Sequence, residues 1–160
     1  TLSLHDALPI YENCEILILG TMPGAESLIK QEYYAFERNQ FWRIIFSIFG
    51  KEIADNYESK KVVLLNNNIA IWDVLASCDR ENSSDSNIRN AVVNDFRGLF
   101  SKYSNLKNIY FNGKKAESLY RKLVGNKDNL KLSVLPSTSP ANAVKFESKL
   151  DEWRHILLRT

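Results

Sequence analysis

The chain has 160 residues, 44% hydrophobic and 25% charged, with 6 Gly and 4 Pro; this composition excludes disordered, collagen-like and low-complexity classes and suits one compact domain. Its apolar runs, such as 16–19 and 62–65, fall far short of the roughly 20 residues of a bilayer-spanning helix. Two cysteines and two histidines signal neither a disulfide framework nor a zinc site, so a reducing, cytoplasmic setting is expected.

The net charge of +2 is unevenly spread: residues 1–100 carry 9 basic and 14 acidic side chains, and residues 101–160 carry 12 and 5. A basic second half suits an anionic partner such as nucleic acid, although solvated helix lysines give the same pattern. The opening TLSLHDALPI has neither the basic start nor the small-residue cleavage site of a secretory signal. It resembles the translation of a sequencing adapter, so residues 1–10 are expected to be a non-native artefact and residues 11–160 a single domain.

The run EILILG at 15–20 is continuous, apolar and closed by glycine, as in a strand buried on both faces of a parallel sheet. Further strands are expected at Val62–Asn66, Asn108–Asn112 and Lys131–Leu135. Helices are expected at Asn39–Gly50, Ser86–Tyr103, Lys114–Gly125 and Phe146–Leu158, where apolar residues recur at three- and four-residue spacing, as in Leu150, Trp153, Ile156 and Leu157. Strands alternating with helices predict an α/β fold, a three-layer α/β/α sandwich around a short central parallel sheet.

Ligands of such sheets gather at the carboxyl ends of the strands. That places the chemistry in the loops GTMPG at 20–24, NNNIAIWD at 66–73, NGKKAES at 112–118 and PSTSPAN at 136–142. The two glycines around Pro23 allow backbone N–H groups to approach a ligand, and are equally read as a tight turn into a helix. Asn39 and Arg38 stand among Tyr33, Tyr34, Phe36, Phe41 and Trp42. Core packing accounts for aromatics, but not for an amide and a guanidinium among them, which require hydrogen-bond partners when buried. Aromatic faces beside such groups are how a flipped base is held. Three hydroxyls between Pro136 and Pro140 make a stiff loop suited to phosphate oxygens, and Lys114 and Lys115 open a helix from which charge and free N–H groups reach a backbone.

In order and spacing, GTMPG, YYAFERNQFW, IAIWDVLASCDRENSSDSNIRNAVVNDF, YFNGKKA and LPSTSPAN resemble the hypoxanthine-DNA glycosylase branch of the uracil-DNA glycosylase superfamily, from about Ile16 to the C-terminus. The resemblance implies the glycosylase α/β/α fold and hydrolytic removal of a deaminated base, chiefly hypoxanthine, from DNA, with no metal or cofactor and no membrane. A monomer is expected. In several other branches the loop after the first strand supplies a water-positioning Asp or Asn; here Met22 stands at that place, and the resemblance passes the catalytic role to Asn39. Its other reading is a helix cap before Phe41.

Around the base the expected residues are Gly20, Thr21, Met22, Pro23, Tyr34, Phe41 and Asp73. A carboxylate at Asp73 can only accept, and would take the N1–H of hypoxanthine, a donor that adenine lacks; a helix cap or an ion-pair partner is the other reading. On the DNA backbone the expected residues are Lys114, Lys115, Ser137, Thr138, Ser139 and Asn142. Leu135 stands where the uracil-specific branches carry a histidine, which argues against strong uracil activity. Two departures from the branch are Phe36-Glu37 in place of His-Pro, and Asn68 where glycine is common. Alternatives are a broader uracil, xanthine or mismatch glycosylase, a catalytically silent damaged-DNA-binding module, and a small-molecule nucleotide hydrolase.

Overall fold

The computed structural model describes residues 10–79, 88–127 and 129–159. Residues 1–9 of the expected artefact lie outside them. Strand β1, Ile16–Gly20, is buried along its whole length at the middle of a four-stranded sheet. It pairs in parallel with β2, Ile69–Asp73, on one side and with β5, Asn108–Asn112, on the other. Strand β6, Lys131–Leu135, adds to β5, so the order is β2-β1-β5-β6. A second, antiparallel pair is made by β3, Leu75–Asp79, and β4, Arg89–Val93.

Alternation along β1 divides the core in two. Ile16 and Ile18 face a cluster with helices α2, Phe41–Ile48, α3, Tyr57–Asn66, and α6, Phe146–Leu157. Leu17 and Leu19 face another with α4, Phe96–Lys102, and α5, Lys114–Leu123. A short helix α1, Ala25–Lys30, follows the first loop. Helices on both faces of a parallel sheet make the expected α/β/α sandwich.

Two expectations are corrected. Val62–Asn66 is not a strand but the end of α3: Asn56 Oδ1 accepts from the Ser59 N–H at 2.8 Å to start that helix. Within it Val63 and Leu64 are buried while Val62 and Leu65 stay 48% and 44% exposed, a helical rather than a strand pattern. The second strand is instead the IAIWD segment expected as a loop. The helix expected at Ser86–Tyr103 is shortened to α4, which Asp95 caps through the Gly98 N–H at 3.0 Å, because 89–93 is β4; residues 86 and 87 lie outside the described residues. Asn68, where the branch commonly has glycine, takes a left-handed φ of 57° as α3 turns into β2. Asparagine is among the few non-glycine residues that tolerate this conformation.

Beneath α5, Tyr120 is wholly buried against Phe96 and Phe111, and its hydroxyl has no hydrogen-bond partner among the described residues. Burial pushes its pKa up to about 12. An unmet buried hydroxyl costs about 1–3 kcal/mol, so Tyr120→Phe should raise stability by roughly 1 kcal/mol. An urea midpoint that rises at constant slope would show this; a lower midpoint would mean that the hydroxyl is satisfied in solution.

Candidate active site

The chain leaves β1 to form β2 on one side, then returns across β1 to form β5 on the other. Strand order therefore reverses between β1 and β5, and the crevice at their carboxyl ends is where open sheets bind ligands. Parallel register brings Gly20 level with Asp73 and Asn112 level with Leu135 at this edge. A Cβ on Gly20 would lie 2.7 Å from Asp73 Oδ1 and 3.2 Å from the Tyr34 hydroxyl. The glycine therefore lets a buried carboxylate and a phenol converge at the mouth of the crevice.

Across the crevice a chain of hydrogen bonds runs through three elements. Asn112 Nδ2 donates to the Tyr34 hydroxyl at 3.2 Å and to Thr138 Oγ1 at 2.9 Å, and Asn112 Oδ1 accepts from the Thr138 N–H at 2.9 Å. The Thr138 hydroxyl then donates to Asn39 Oδ1 at 2.8 Å, which also accepts from the Phe41 N–H at 3.0 Å. The Gln40 N–H donates to the Thr138 carbonyl at 3.0 Å. Two donors on one oxygen fix which way the Asn39 amide faces, and none of these bonds uses its Nδ2 hydrogens. Asn39 thus offers donors, not an acceptor, to whatever enters.

Tyr34 has a left-handed φ of 55°, a strained conformation for an aromatic residue. Its ring stacks on Phe41 with centroids 4.0 Å apart and planes 22° from parallel. Phe41 in turn lies edge-on to Trp42 and Trp153, and the Trp42 indole N–H donates to the Tyr33 carbonyl at 2.9 Å. Burial holds the Tyr33 phenol well above its usual pKa.

Beside Asn39 opens a cleft of about 740 Å³ lined by Tyr34, Gln40 and Trp42 and by the cations Lys30, Arg38, Arg43, Lys60 and Lys149, with Glu37 among them. The Arg43 guanidinium sits over the Phe146 ring at 3.7 Å from its centroid. Burial pushes the Lys149 ammonium below the ordinary lysine pKa.

The family model described as the Uracil DNA glycosylase superfamily matches residues 9–158. The chain belongs to this superfamily. It is 41% identical over 146 residues to the Hypoxanthine DNA glycosylase of Methanosarcina acetivorans, covering 91% of each chain, and 36% identical over 154 residues to that of Methanosarcina barkeri, covering 94% of each. The solution NMR structure of a candidate uracil DNA glycosylase from Methanosarcina acetivorans superposes with a TM-score of 0.77 at 39% identity, over 93% of this chain and 92% of that one.

For this superfamily member the expected residues divide into those the fold brings together and those it does not. Gly20, Tyr34 and Asp73 meet at the crevice, with buried Thr21 next in the loop, and Asn39 is joined to them through Thr138 and Asn112. Asp73 closes β2 rather than following a strand, and Asn39 lies one residue before Gln40, the N-cap of α2, with its side chain accepting from the Phe41 N–H. Met22 points its sulfur at Cys78 Sγ, 3.1 Å away, and half-buried Pro23 leads into α1. Phe41 is wholly buried beneath the Tyr34 ring, which stacks on it and borders the crevice.

Thr138 is 0% exposed and its hydroxyl is bonded on both sides, so it braces the site. Ser137, Ser139 and Asn142 are half-buried and bond chiefly within their own loop. Lys114 and Lys115 stand exposed on the first turn of α5. Asn112 was not among the expected residues, although a polar residue closing an apolar strand in YFNGKKA is a visible signal. The cations at 30, 43 and 60 were also missed, because they lie in the net-acidic half.

Removing the hinge of the relay should disable the site without unfolding it. Thr138→Val keeps the shape but loses both hydroxyl bonds, each worth about 1 kcal/mol. Base excision should fall by about 10- to 100-fold, the effect of a mispositioned reacting group, with an unchanged circular dichroism spectrum. Wild-type excision by this variant would show that Asn39 needs no such support.

Proposed function

We propose that this chain hydrolyses the N-glycosidic bond of deoxyinosine in DNA, releasing hypoxanthine and leaving an abasic site. The observation that carries this reading is the Asn39 amide, held in one orientation at the switch-point crevice between the Tyr34 ring and the cation-lined cleft. The relatives named Hypoxanthine DNA glycosylase support the choice of base.

The bond between C1′ and the base nitrogen breaks through an oxocarbenium-like transition state, in which electron demand at C1′ makes a weak nucleophile sufficient. Water then adds its oxygen to C1′, one water proton passes to solvent, and the base leaves with the bonding pair and is protonated. Asn39 Nδ2–H holds the water by its oxygen, which supplies orientation without a titrating base. Asp73 accepts the hypoxanthine N1–H, and Tyr34 covers one side of the pocket. These steps use water and side chains alone.

Lys30, Arg38, Arg43 and Lys60 flank the cleft and, with Lys114, Lys115, Ser137, Ser139 and Asn142, suit the sugar-phosphate strand around the extruded nucleotide. A monomeric enzyme is part of this proposal. Neither Cys14 nor Cys78 is in a disulfide, in keeping with the reducing, cytoplasmic setting proposed.

Labelled duplexes carrying one deoxyinosine or one deoxyuridine, followed by alkaline cleavage of abasic sites, test the reading. Breaks at inosine are expected, and Asn39→Ala should slow them by about 10²- to 10⁴-fold. Breaks at uracil alone would move the chain to a broader branch, and salt-sensitive DNA binding without breaks would make it a silent module. Asp73→Asn should reduce the preference for deoxyinosine over deoxyadenosine by about 10-fold or more, the worth of one lost base contact. An unchanged preference would remove Asp73 from base reading.

A further inference from the structure

Helix α6 carries a fully buried cation that the proposed chemistry does not use. Lys149 is 1% exposed, and its ammonium donates to Gln40 Oε1 at 2.9 Å, to the Asn142 carbonyl at 2.8 Å and to the Ser139 carbonyl at 3.4 Å. Three N–H groups thus meet three acceptors, which satisfies the ammonium completely. None of the three is a carboxylate. Burial in such neutral surroundings lowers the lysine pKa and is unfavourable relative to an apolar residue of the same volume. Packing alone would be served as well by methionine or leucine, and the adjoining Trp153 already ties α6 to the loop through its indole N–H on the Pro136 carbonyl at 2.8 Å.

The bonding partners are what give the charge a purpose. Gln40 follows Asn39, and Ser139 follows Thr138, so Lys149 holds the residue next to each member of the Thr138–Asn39 bond. Its third bond, to Asn142, holds the far end of the same loop. A compact ammonium at the apex of these acceptors sets the separation between the start of α2 and loop 136–142, and that separation decides whether the Thr138 hydroxyl reaches Asn39 Oδ1.

We propose that Lys149 is a positioning residue, which clamps Gln40 and the loop carbonyls together and so holds the Asn39 amide in its working orientation. The effect on excision rests on the function proposed above; the clamp itself does not. Lys149→Met and Gln40→Leu, singly and combined, separate the two through amide hydrogen exchange and single-turnover excision of deoxyinosine.

In Lys149→Met the Gln40 and Phe41 amides, which donate to Thr138 O and Asn39 Oδ1, should exchange at least 10-fold faster, while Leu17–Leu19 of β1 remain as in the wild type. The excision rate at saturating enzyme should fall at least 10-fold, with the half-saturating enzyme concentration changed less than threefold. The combined variant should lie within twofold of Lys149→Met, because the one contact that Gln40→Leu removes is among the three that Lys149→Met already removes. Unchanged Gln40 and Phe41 exchange, equal acceleration throughout β1, a defect confined to half-saturation or fully multiplicative rate losses would each overturn the proposal. If Lys149→Met does not fold, Gln40→Leu decides the matter through the Phe41 amide. A wild-type protein that leaves deoxyinosine intact would sink the hypoxanthine reading, while the exchange result still judges the clamp.

Discussion

The site hangs on the hydroxyl of Thr138, which accepts from one asparagine and donates to another. That dual capacity gives the relay a direction. Asn112 cannot flip, because its oxygen receives the Thr138 N–H, and Asn39 cannot flip, because its amide nitrogen would then face the Phe41 N–H and the Thr138 hydroxyl proton. Buried hydrogen bonds in a low-dielectric setting reinforce one another, and a mismatch within them is correspondingly unfavourable. The Asn39 amide is therefore held in one orientation, and in the proposed reaction a neutral group so held contributes through placement more than basicity.

The sheet makes this arrangement possible by bringing Gly20, Asp73, Asn112 and Leu135 to one edge, while the two-faced burial of β1 anchors helices above and below. Helix α6 meets the loop after β6 at two points, Trp153 on Pro136 and Lys149 on Ser139 and Asn142. Tyr34 holds an unfavourable backbone conformation between the Phe41 ring and the Asn112 amide. Strain of this kind persists where surrounding contacts over-determine it.

Much of this was legible in the residues. The runs at β1, β5 and β6 and the patterns of α2, α5 and α6 were read at their places, and the order of motifs pointed to the superfamily. Val62–Leu65 misled because four consecutive apolar residues look alike in a buried strand and in a helix, and only the exposure of Val62 and Leu65 separates them. The true strand, Ile69–Asp73, was hidden by the asparagines before it, of which Asn68 makes the turn. At the site, residue type located Asn39 and Asp73. It could not show that Thr138 is sealed inside or that Asn112 joins it, because those facts depend on register between β5 and β6. Lys149 looked like any solvated helix lysine, since its three acceptors lie elsewhere in the chain.

The relay also ties the site to the end of folding. The Asn39–Thr138 bond joins residues 99 apart, and Asn112 to Tyr34 spans 78. Such contacts form only after large loops have closed, a step whose entropy must be met before the bond gives anything back. No contiguous fragment ending before the loop after β6 contains both halves of the relay, so a nascent chain must release everything up to that loop before Asn39 is oriented. A half-made protein of this kind has no formed pocket with which to extract bases from intact DNA.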